Sequence, residues 1–167
     1  MLEHERIRGY STELRRYSQK EKEMYNHMEL DKFAADQILP NVRKELEEYG
    51  DIRDGCLCFT GFSPAGRPSF AGVDNVSAPS DYDNVSVLAR SVKATKVLSV
   101  SDAWAPACPD RQRAIVIYLI LPDGSVEWTM SQSYTRNGKR FTWDEPEKMD
   151  GGFQNFLPAW GSLGKTK

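Results

Sequence analysis

The side chains whose chemistry could support catalysis lie in and around residues 105–110. Cys108 is in this segment between two prolines, and a thiol attacks a substrate only as the thiolate, which needs a base or a lowered pKa. No histidine follows residue 27, so any histidine base must come from the N-terminal region. Asp102 and Asp110 could exchange protons, and Arg111 could hold an anionic substrate.

The expectation from these residues is that the chain has no catalytic residue. An acid at a strand end or in a loop is more often a loop cap or a surface charge than a catalyst. If the chain is an enzyme, its site lies where residues 63–80, residues 104–111 and the hairpin ends meet. The candidates are then Asp102, Cys108, Asp110 and Arg111.

A cationic and aromatic surface is predicted where several strand ends come together. Such a surface can stack on bases, or it can hold a carboxylate or a phosphate. The alternative interpretation is ordinary solubilising charge around the ends of strands. The residues concerned are Trp104, Arg111, Arg113, Tyr134, Arg136, Lys139, Arg140 and Trp143.

Cysteine and histidine side chains do not form a convincing metal motif. A structural zinc site needs several converging ligands at suitable spacing, and the available side chains are Cys56, Cys58, Cys108, His4 and His27. Alternate residues of a strand share a face, so Cys56 and Cys58 are interpreted as buried free thiols that act as small hydrophobic side chains. No metal and no cofactor are expected.

Length and composition predict a single globular domain in a reducing compartment. The chain has 167 residues, of which 40% are hydrophobic and 28% charged, and this is ordinary for a folded domain. Its three cysteines suit reduced thiols better than a disulfide framework. The N-terminus is charged and the longest apolar run covers only residues 114–121, so neither a secretory signal nor a membrane span is predicted. We expect a cytoplasmic protein with no membrane partner.

Residues 1–28 have the pattern of an amphipathic helix. Apolar side chains recur at intervals of three and four, which is one helical face, while Lys, Arg and Glu occupy the other positions. Such a stripe packs on its own domain, docks on another protein or pairs with a second copy of itself. Its apolar residues are Ile7, Tyr10, Leu14, Tyr17, Met24 and Met28.

Residues 29–160 are predicted to form one domain, followed by a frayed tail over residues 161–167. A helix over residues 29–49 is expected to kink or split at Pro40, which removes a backbone hydrogen bond. A strand over residues 56–62 is followed by a segment rich in Gly, Pro and Ser, residues 63–80, which predicts a long loop.

A second helix is predicted after this loop. Ser80 and Asp83 are spaced as a capping box, with Asp in the position where Glu or Gln is commoner. Val85, Leu88 and Val92 then supply the buried face of the helix.

The second half of the chain predicts an antiparallel meander. Alternation and β-branched content favour strands at residues 96–104, 113–121, 126–130 and 141–143, and residues 145–160 are expected to be irregular. The tight turns are Pro122-Asp123-Gly124 and Asn137-Gly138. The predicted fold class is α+β, with N-terminal helices and one further helix packed on an antiparallel β-meander of about four to five strands.

Several segments occur in an order that resembles a family of uncharacterised small bacterial and prophage α+β proteins. The resemblance covers roughly residues 30–136. It implies the fold class and a bacterial or mobile-element setting, but no activity. The segments that carry it are Ile38-Leu39-Pro40-Asn41-Val42 through Leu46 and Gly50, then Val100-Ser101-Asp102-Ala103-Trp104, Pro109-Asp110-Arg111-Gln112-Arg113-Ala114 and Asp123-Gly124. The sequence departs from this pattern by having Asp102 where a Glu is expected and by its longer charged N-terminal helix.

Three functions are compatible with these patterns. The leading hypothesis is a small regulatory protein that binds another protein or a copy of itself, with interference in a host system as its mobile-element variant. The second is an enzyme acting on a small anionic substrate in a loop cleft. The third is a nucleic-acid-binding module, which is not expected because the net charge of −2 provides no basic surplus.

Overall fold

The computed structural model of the chain describes residues 29–104, 112–152 and 157–161, with only the backbone described at Trp104. The helical elements are α1 (Leu30–Phe33), a π-helical turn (Ala34–Ile38), α2 (Leu39–Tyr49) and α3 (Pro79–Ser91). The strands are β1 (Gly55–Phe62), β2 (Pro68–Asp74), β3 (Lys96–Trp104), β4 (Arg113–Ile120), β5 (Val126–Asn137), β6 (Arg140–Trp143) and β7 (Glu147–Asp150).

The first helical stretch changes its winding ahead of Pro40. A proline has no N–H to donate, and its ring displaces the carbonyl of the residue four positions earlier, which here is Asp36. The π-helical turn, which contains Asp36, accommodates the ring by widening the helix, so α1 and α2 are continuous but not uniformly wound. Gly50 ends α2 in the left-handed conformation, with φ of +79°, and its N–H donates to the Leu46 carbonyl at 2.7 Å.

All the strands belong to one antiparallel sheet of seven strands in the order β2-β1-β3-β4-β5-β6, with β7 pairing β5 beside β6. The predicted class is therefore correct in outline. The expected size of the sheet was too small, because β2 and β7 were not anticipated. The turns at Gly124 and Gly138 are as expected, and both glycines have a positive φ.

The loop predicted over residues 63–80 is wrong. A tight turn at residues 63–67 leads directly into β2, which pairs with β1, and Pro79 already belongs to α3. Phe70 is buried while the neighbouring Ala71 and Gly72 have too little side chain to show a period-two pattern. A strand of such small residues resembles a loop in composition, although its backbone forms a regular ladder.

The irregular segment predicted after residue 145 is wrong in its first part. β7 pairs residues 147–150 with residues 128–131 of β5. All four of its side chains are exposed, so no apolar alternation marks it in the sequence. The backbone ladder to β5 defines this strand, and that ladder leaves no trace in the sequence of β7.

α3 starts earlier than the predicted capping box. The helix begins at Pro79, and the Asp81 carboxylate accepts hydrogen bonds from the N–H groups of Ser77 at 2.9 Å and Ala78 at 2.8 Å. Asp81 therefore does what was expected of Asp83. Proline at the first helical position fixes the backbone for the turn and needs no partner there.

The two faces of the sheet are covered by different elements. The front face packs against α1, the π-helical turn and α2, and the back face packs against α3 and residues 157–160. β4 contributes buried side chains to both faces, as expected for a central strand. The front-face cluster contains Leu30, Phe33, Ile38, Leu39, Phe59, Phe70, Leu98, Ile115, Ile117, Leu119, Trp128 and Met130.

A C-terminal strap, residues 157–161, crosses the back face. The Trp160 indole N–H donates to the Ala94 carbonyl at 2.8 Å, and the backbone N–H groups of Trp160 and Gly161 donate to the Pro122 carbonyl at 2.9 and 3.2 Å. Ser86 of α3 donates to the Pro158 carbonyl at 2.7 Å. Leu157 and Trp160 are buried, so the strap belongs to the back-face core.

Within the described parts of the chain, no helix has both the length and the apolar character that a bilayer crossing requires.

Candidate functional site

A single row of residues crosses the last strands at one end of the sheet. The backbone register pairs Trp104 with Arg113, Arg113 with Tyr134, and Tyr134 with Trp143. Directly opposite residues of neighbouring strands project from the same face. The side chains of Arg113, Tyr134 and Trp143 are on the front face, because Tyr134 packs with Leu46 of α2.

Asp102, two residues before the end of β3, anchors Arg113 and Tyr134. Its carboxylate pairs with the Arg113 guanidinium at 3.1 Å through one oxygen and accepts a hydrogen bond from the Tyr134 hydroxyl at 2.9 Å through the other. Arg113 also donates to the Asp102 carbonyl at 3.2 Å. The carboxylate is 13% exposed and both of its oxygens are engaged. We conclude that Asp102 positions Arg113 and Tyr134.

The backbone links Asp102 to a second carboxylate. The Asp102 N–H donates to the Asp54 carboxylate at 3.3 Å. Burial raises the pKa of Asp54 and the negative charge of Asp102 adds to this, while the hydrogen bond from the Asp102 backbone opposes it. Asp54 and Asp102 are thus connected through the backbone N–H of Asp102.

Tyr134 and Arg113, the two residues whose side chains contact Asp102, keep their ordinary protonation states at neutral pH. Burial raises the pKa of Tyr134, and its hydrogen bond to Asp102 raises it further, so its hydroxyl remains a donor. Burial disfavours the charge of Arg113, but hydrogen bonds with Asp102 and Tyr134 outweigh this and raise its pKa. Arg113 is therefore a permanent cation, with 39% of its side chain exposed.

Next to this cluster, the β5–β6 hairpin carries a set of packed aromatic rings. The rings of Phe141 and Trp143 are stacked at 12° with centroids 5.8 Å apart, and the Tyr134 ring is within 5.5 Å of both. The Arg136 guanidinium is over the Phe141 ring at 5.0 Å. We define the hairpin surface as Arg136, Lys139, Arg140, Phe141 and Trp143; its three cations are exposed and its two aromatic rings are half-buried.

Helix α2 fixes the position of the hairpin surface. The Trp143 indole N–H donates to the Glu47 carboxylate at 2.7 Å, and Arg136 donates to the Gly50 carbonyl at 3.0 Å. Arg43 donates to the Gln132 side-chain oxygen at 2.7 Å and is 6.0 Å from the Trp143 ring. These bonds hold the aromatic rings in one arrangement before any ligand arrives.

The structure brings together three of the residues predicted for a site and describes only some of the rest. Asp102, Arg113 and Tyr134 are in direct contact, and Arg136 lies beyond Tyr134 on the same strand. Trp104 has the predicted place on β3. The residues outside the described parts are Tyr10, Leu14, Tyr17, Met24, Cys108, Asp110 and Arg111.

Of the predicted meeting of residues 63–80 with residues 104–111 and the hairpin ends, the described residues show only that β2 is not adjacent to the β5–β6 hairpin, and residues 105–111 lie outside the described parts. β2 forms one edge of the sheet, and β1, β3 and β4 separate it from β5. An enzyme cleft built from both segments would have to cross most of the sheet. Two clefts, of about 520 and 610 Å³, are lined by described residues that include neither Asp102, Arg113 nor Tyr134.

Sequence reasoning missed the residues whose hydrogen bonds hold the hairpin surface against α2. Arg43 and Glu47 lie about one hundred positions from their partners, and nothing in the sequence connects them. Gln132 did carry a signal. It occupies an inward position of β5 between Met130 and Tyr134, and it is 5% exposed, so it needed a polar partner.

The interpretation of Cys56 and Cys58 as buried free thiols is confirmed. Both are free, and both pack in the back-face cluster with α3. Burial raises the pKa of Cys56 to about 12 and that of Cys58 to about 11. Among the described residues, no group of three or more His, Cys, Asp and Glu side chains is arranged to hold a metal ion.

Comparison of the chain with protein-family models, with curated proteins and with solved structures gives no match. The resemblance to small bacterial and prophage proteins stays a prediction.

Proposed function

We propose that the chain is a binding protein that contacts a partner protein through the hairpin surface. The observation that carries this proposal is the pair of stacked rings, Phe141 and Trp143, fixed by α2 and bordered by exposed cations. Trp, Tyr and Arg are the residues that most often dominate binding energy in protein interfaces. Rings that are already ordered lose little conformational entropy on binding.

The charge of the hairpin surface indicates the chemistry of the partner. Arg136, Lys139 and Arg140 occur within five residues of one another, although the whole chain has a net charge of −2. Among the described residues, no carboxylate lies within ion-pair distance of these three cations. We infer a partner that offers acidic side chains around an apolar or aromatic anchor, because opposite charges accelerate association and select the partner.

The amphipathic pattern of residues 1–28 supplies a second contact in this proposal. Tyr10, Leu14, Tyr17 and Met24 would dock on the same partner or on a copy of the chain. The resemblance to prophage proteins extends the proposal to a partner from a host system with which the chain interferes. A cytoplasmic location is part of the same proposal.

Affinity capture from source-cell lysate tests the proposal, with nuclease treatment and with matched variants. The partner should be recovered by the full chain and by Tyr49→Ala, which removes an aromatic ring that is 75% exposed outside the hairpin surface. The double variant Lys139→Glu/Arg140→Glu should weaken the dissociation constant by at least about tenfold. Equal recovery by all three proteins would contradict the proposal.

Two controls separate partner classes and contacts. Affinity for oligonucleotides that falls steeply with salt would assign the surface to nucleic acid, because phosphate contacts release counterions. A chain without residues 1–28 reports on the second contact. If the truncated chain loses the partner while Lys139→Glu/Arg140→Glu keeps it, the partner binds residues 1–28 and not the hairpin surface.

A second candidate function is recognition or turnover of a small anion at Arg113. It is favoured by one observation, an Arg113 side chain that is 39% exposed and oriented by Asp102. Thermal-shift titration with small carboxylates and phosphates tests it, comparing the wild-type chain with Arg113→Lys. A ligand-induced increase in melting temperature that this variant loses would support the anion site over the protein surface.

A further inference from the structure

The two edges of the sheet differ in charge and in length. One edge is divided between β6 and β7, two strands of four residues that together carry Arg140, Glu147, Lys148 and Asp150. Short, charged edge strands are how natural sheets prevent pairing with another chain. The other edge is β2, seven residues long, in which Asp74 at the end is the single charged residue.

The inner part of β2 has none of the usual features that block an edge. Residues 69–73 read Ser-Phe-Ala-Gly-Val, without charge and without proline, and Gly72 is exposed. Among the described residues, β2 has a neighbouring strand on one side only, which is β1. The outward N–H and C=O groups of an edge strand are a template for a further strand.

We propose that β2 pairs antiparallel with β2 of a second copy of this chain, so that one sheet continues through a homodimer. This surface is on the opposite edge from the hairpin surface and does not depend on its function. A two-fold axis beside Ala71 places Phe70 opposite Gly72 of the second copy and Ser69 opposite Val73 of the second copy. The same segment then serves both copies, as a two-fold interface requires.

The side-chain pattern of β2 is complementary to itself in this register. Phe70 and Gly72 are on the same face of the strand, opposite Phe59 and Leu57 of β1. Phe70 is 9% exposed and packs on Phe33 and Phe59 of its own copy, so the residue opposite it in the second copy must be small, as Gly72 is. Complementary cross-strand pairs help to fix strand register.

Charge does not oppose the pairing. Asp74 is three positions from Ala71, so the two copies of Asp74 would be about 20 Å apart along the paired strands. This separation exceeds the Debye length of about 8 Å at physiological ionic strength. A register moved to place Gly72 on the axis would instead set Phe70 against Asp74 of the second copy, which is less favourable.

Sedimentation equilibrium of the full chain over a range of concentrations tests the proposal. We expect the wild-type chain to be a dimer and Gly72→Lys to weaken the dimer by at least about tenfold, because lysine blocks an edge. The matched control is Thr142→Lys, which adds the same charge at an exposed position of β6 and should leave the dimer intact. Thermal unfolding of each variant separates loss of pairing from loss of the fold.

A cross-link tests the register. In a Cys108→Ser background, Ala71→Cys should form an intermolecular disulfide under mild oxidation, since paired Cα atoms about 4.5–5.5 Å apart suit a disulfide. Thr142→Cys should not form one. A wild-type chain that is monomeric at every concentration, or a dimer insensitive to Gly72→Lys, would overturn the proposal. So would a dimer that Thr142→Lys weakens equally.

Discussion

Tyr134 shows how one hydroxyl connects two parts of the site. Its ring is 4% exposed and packs with Phe141 and Trp143, while its hydroxyl donates to Asp102. We expect Tyr134→Phe to lower the free energy of unfolding by about 1–2 kcal/mol, because a buried hydrogen bond to a charged group is lost while the ring packing remains. Urea unfolding at neutral pH measures this change.

The matched control for Tyr134→Phe is Tyr49→Phe. Tyr49 is 75% exposed, so removal of its hydroxyl should change the free energy of unfolding by less than about 0.5 kcal/mol. If both substitutions change the free energy of unfolding by the same amount, the hydrogen bond from the Tyr134 hydroxyl to Asp102 does not stabilise the fold. Asp102 is then oriented by Arg113 alone.

The two buried thiols make stability depend on alkaline pH. Free thiols ionise near pH 8.5 in an unfolded chain, whereas burial raises the pKa of Cys56 to about 12 and of Cys58 to about 11. A group whose pKa is raised by folding stabilises the native state below the unfolded pKa and loses that contribution as pH rises towards the folded pKa. Between about pH 8.5 and 10, each thiol should lower the free energy of unfolding by up to about 1.4 kcal/mol per pH unit.

Urea unfolding of a Cys108→Ser chain as a function of pH measures this dependence. The same series with Cys56→Ala added should show a smaller slope above about pH 8.5, although the variant is less stable overall. An unchanged slope would mean that Cys56 is not the titrating group. The window ends near pH 10, where tyrosines begin to ionise.

At the level of residues, the sequence predicted those parts of the site that lie on the meander. Arg113 and Tyr134 were predicted to share one cationic and aromatic surface, and Asp102 was a candidate only for a catalytic cleft; the contact of Asp102 with both was not predicted. Arg43 and Glu47 lie on a helix formed much earlier in the chain. Their role depends on how α2 crosses the front face, and local patterns contain no information on that crossing.

At the level of elements, the C-terminal strap depends on a glycine for space. A Cβ atom on Gly161 would lie 2.5 Å from the Cβ of Pro122, and the Gly161 N–H donates to the Pro122 carbonyl. We expect Gly161→Ala to destabilise the chain by about 1–3 kcal/mol, because the strap must move away from the turn before β5. Urea unfolding and limited proteolysis of the C-terminal region measure the effect.

A double-mutant cycle identifies the cause. Pro122→Gly removes the atom that the new methyl group would meet, so Gly161→Ala should cost less in that background than in the wild type. If the two substitutions have additive effects on the free energy of unfolding, the close approach of Gly161 to Pro122 is not what makes Gly161→Ala destabilising.

The elements that were predicted correctly are those with a strong side-chain period. β3, β4 and β5 alternate or are apolar on both faces, and the Asn137-Gly138 turn separates β5 from β6. β2 and β7 were missed because Ala71 and Gly72 in one, and four exposed side chains in the other, leave no period. Their strand character comes from pairing with a neighbour.

At the level of the whole molecule, the sequence predicted the class but not the strand order. β2 and β3 are both antiparallel to β1, so they run parallel to each other with β1 between them, and α3 connects them across the back face. The front face is covered by α1 and α2. Helices cover both faces of the sheet, so the apolar pattern of the sequence indicates most of the core side chains. Which of these side chains pack against one another depends on the β2–α3–β3 crossover.

The same connectivity determines the order in which the sheet can assemble. β3 to β6 follow one another along the chain and need only short loops to pair, so this half of the sheet has low contact order. β1 must find β3 across about forty residues of intervening chain, which carries a larger loop-closure entropy. The β1–β2 hairpin is therefore expected to join a preformed nucleus late in folding. During that interval, the β2 edge, uncharged over residues 69–73, is the part of the sheet most exposed to mispairing.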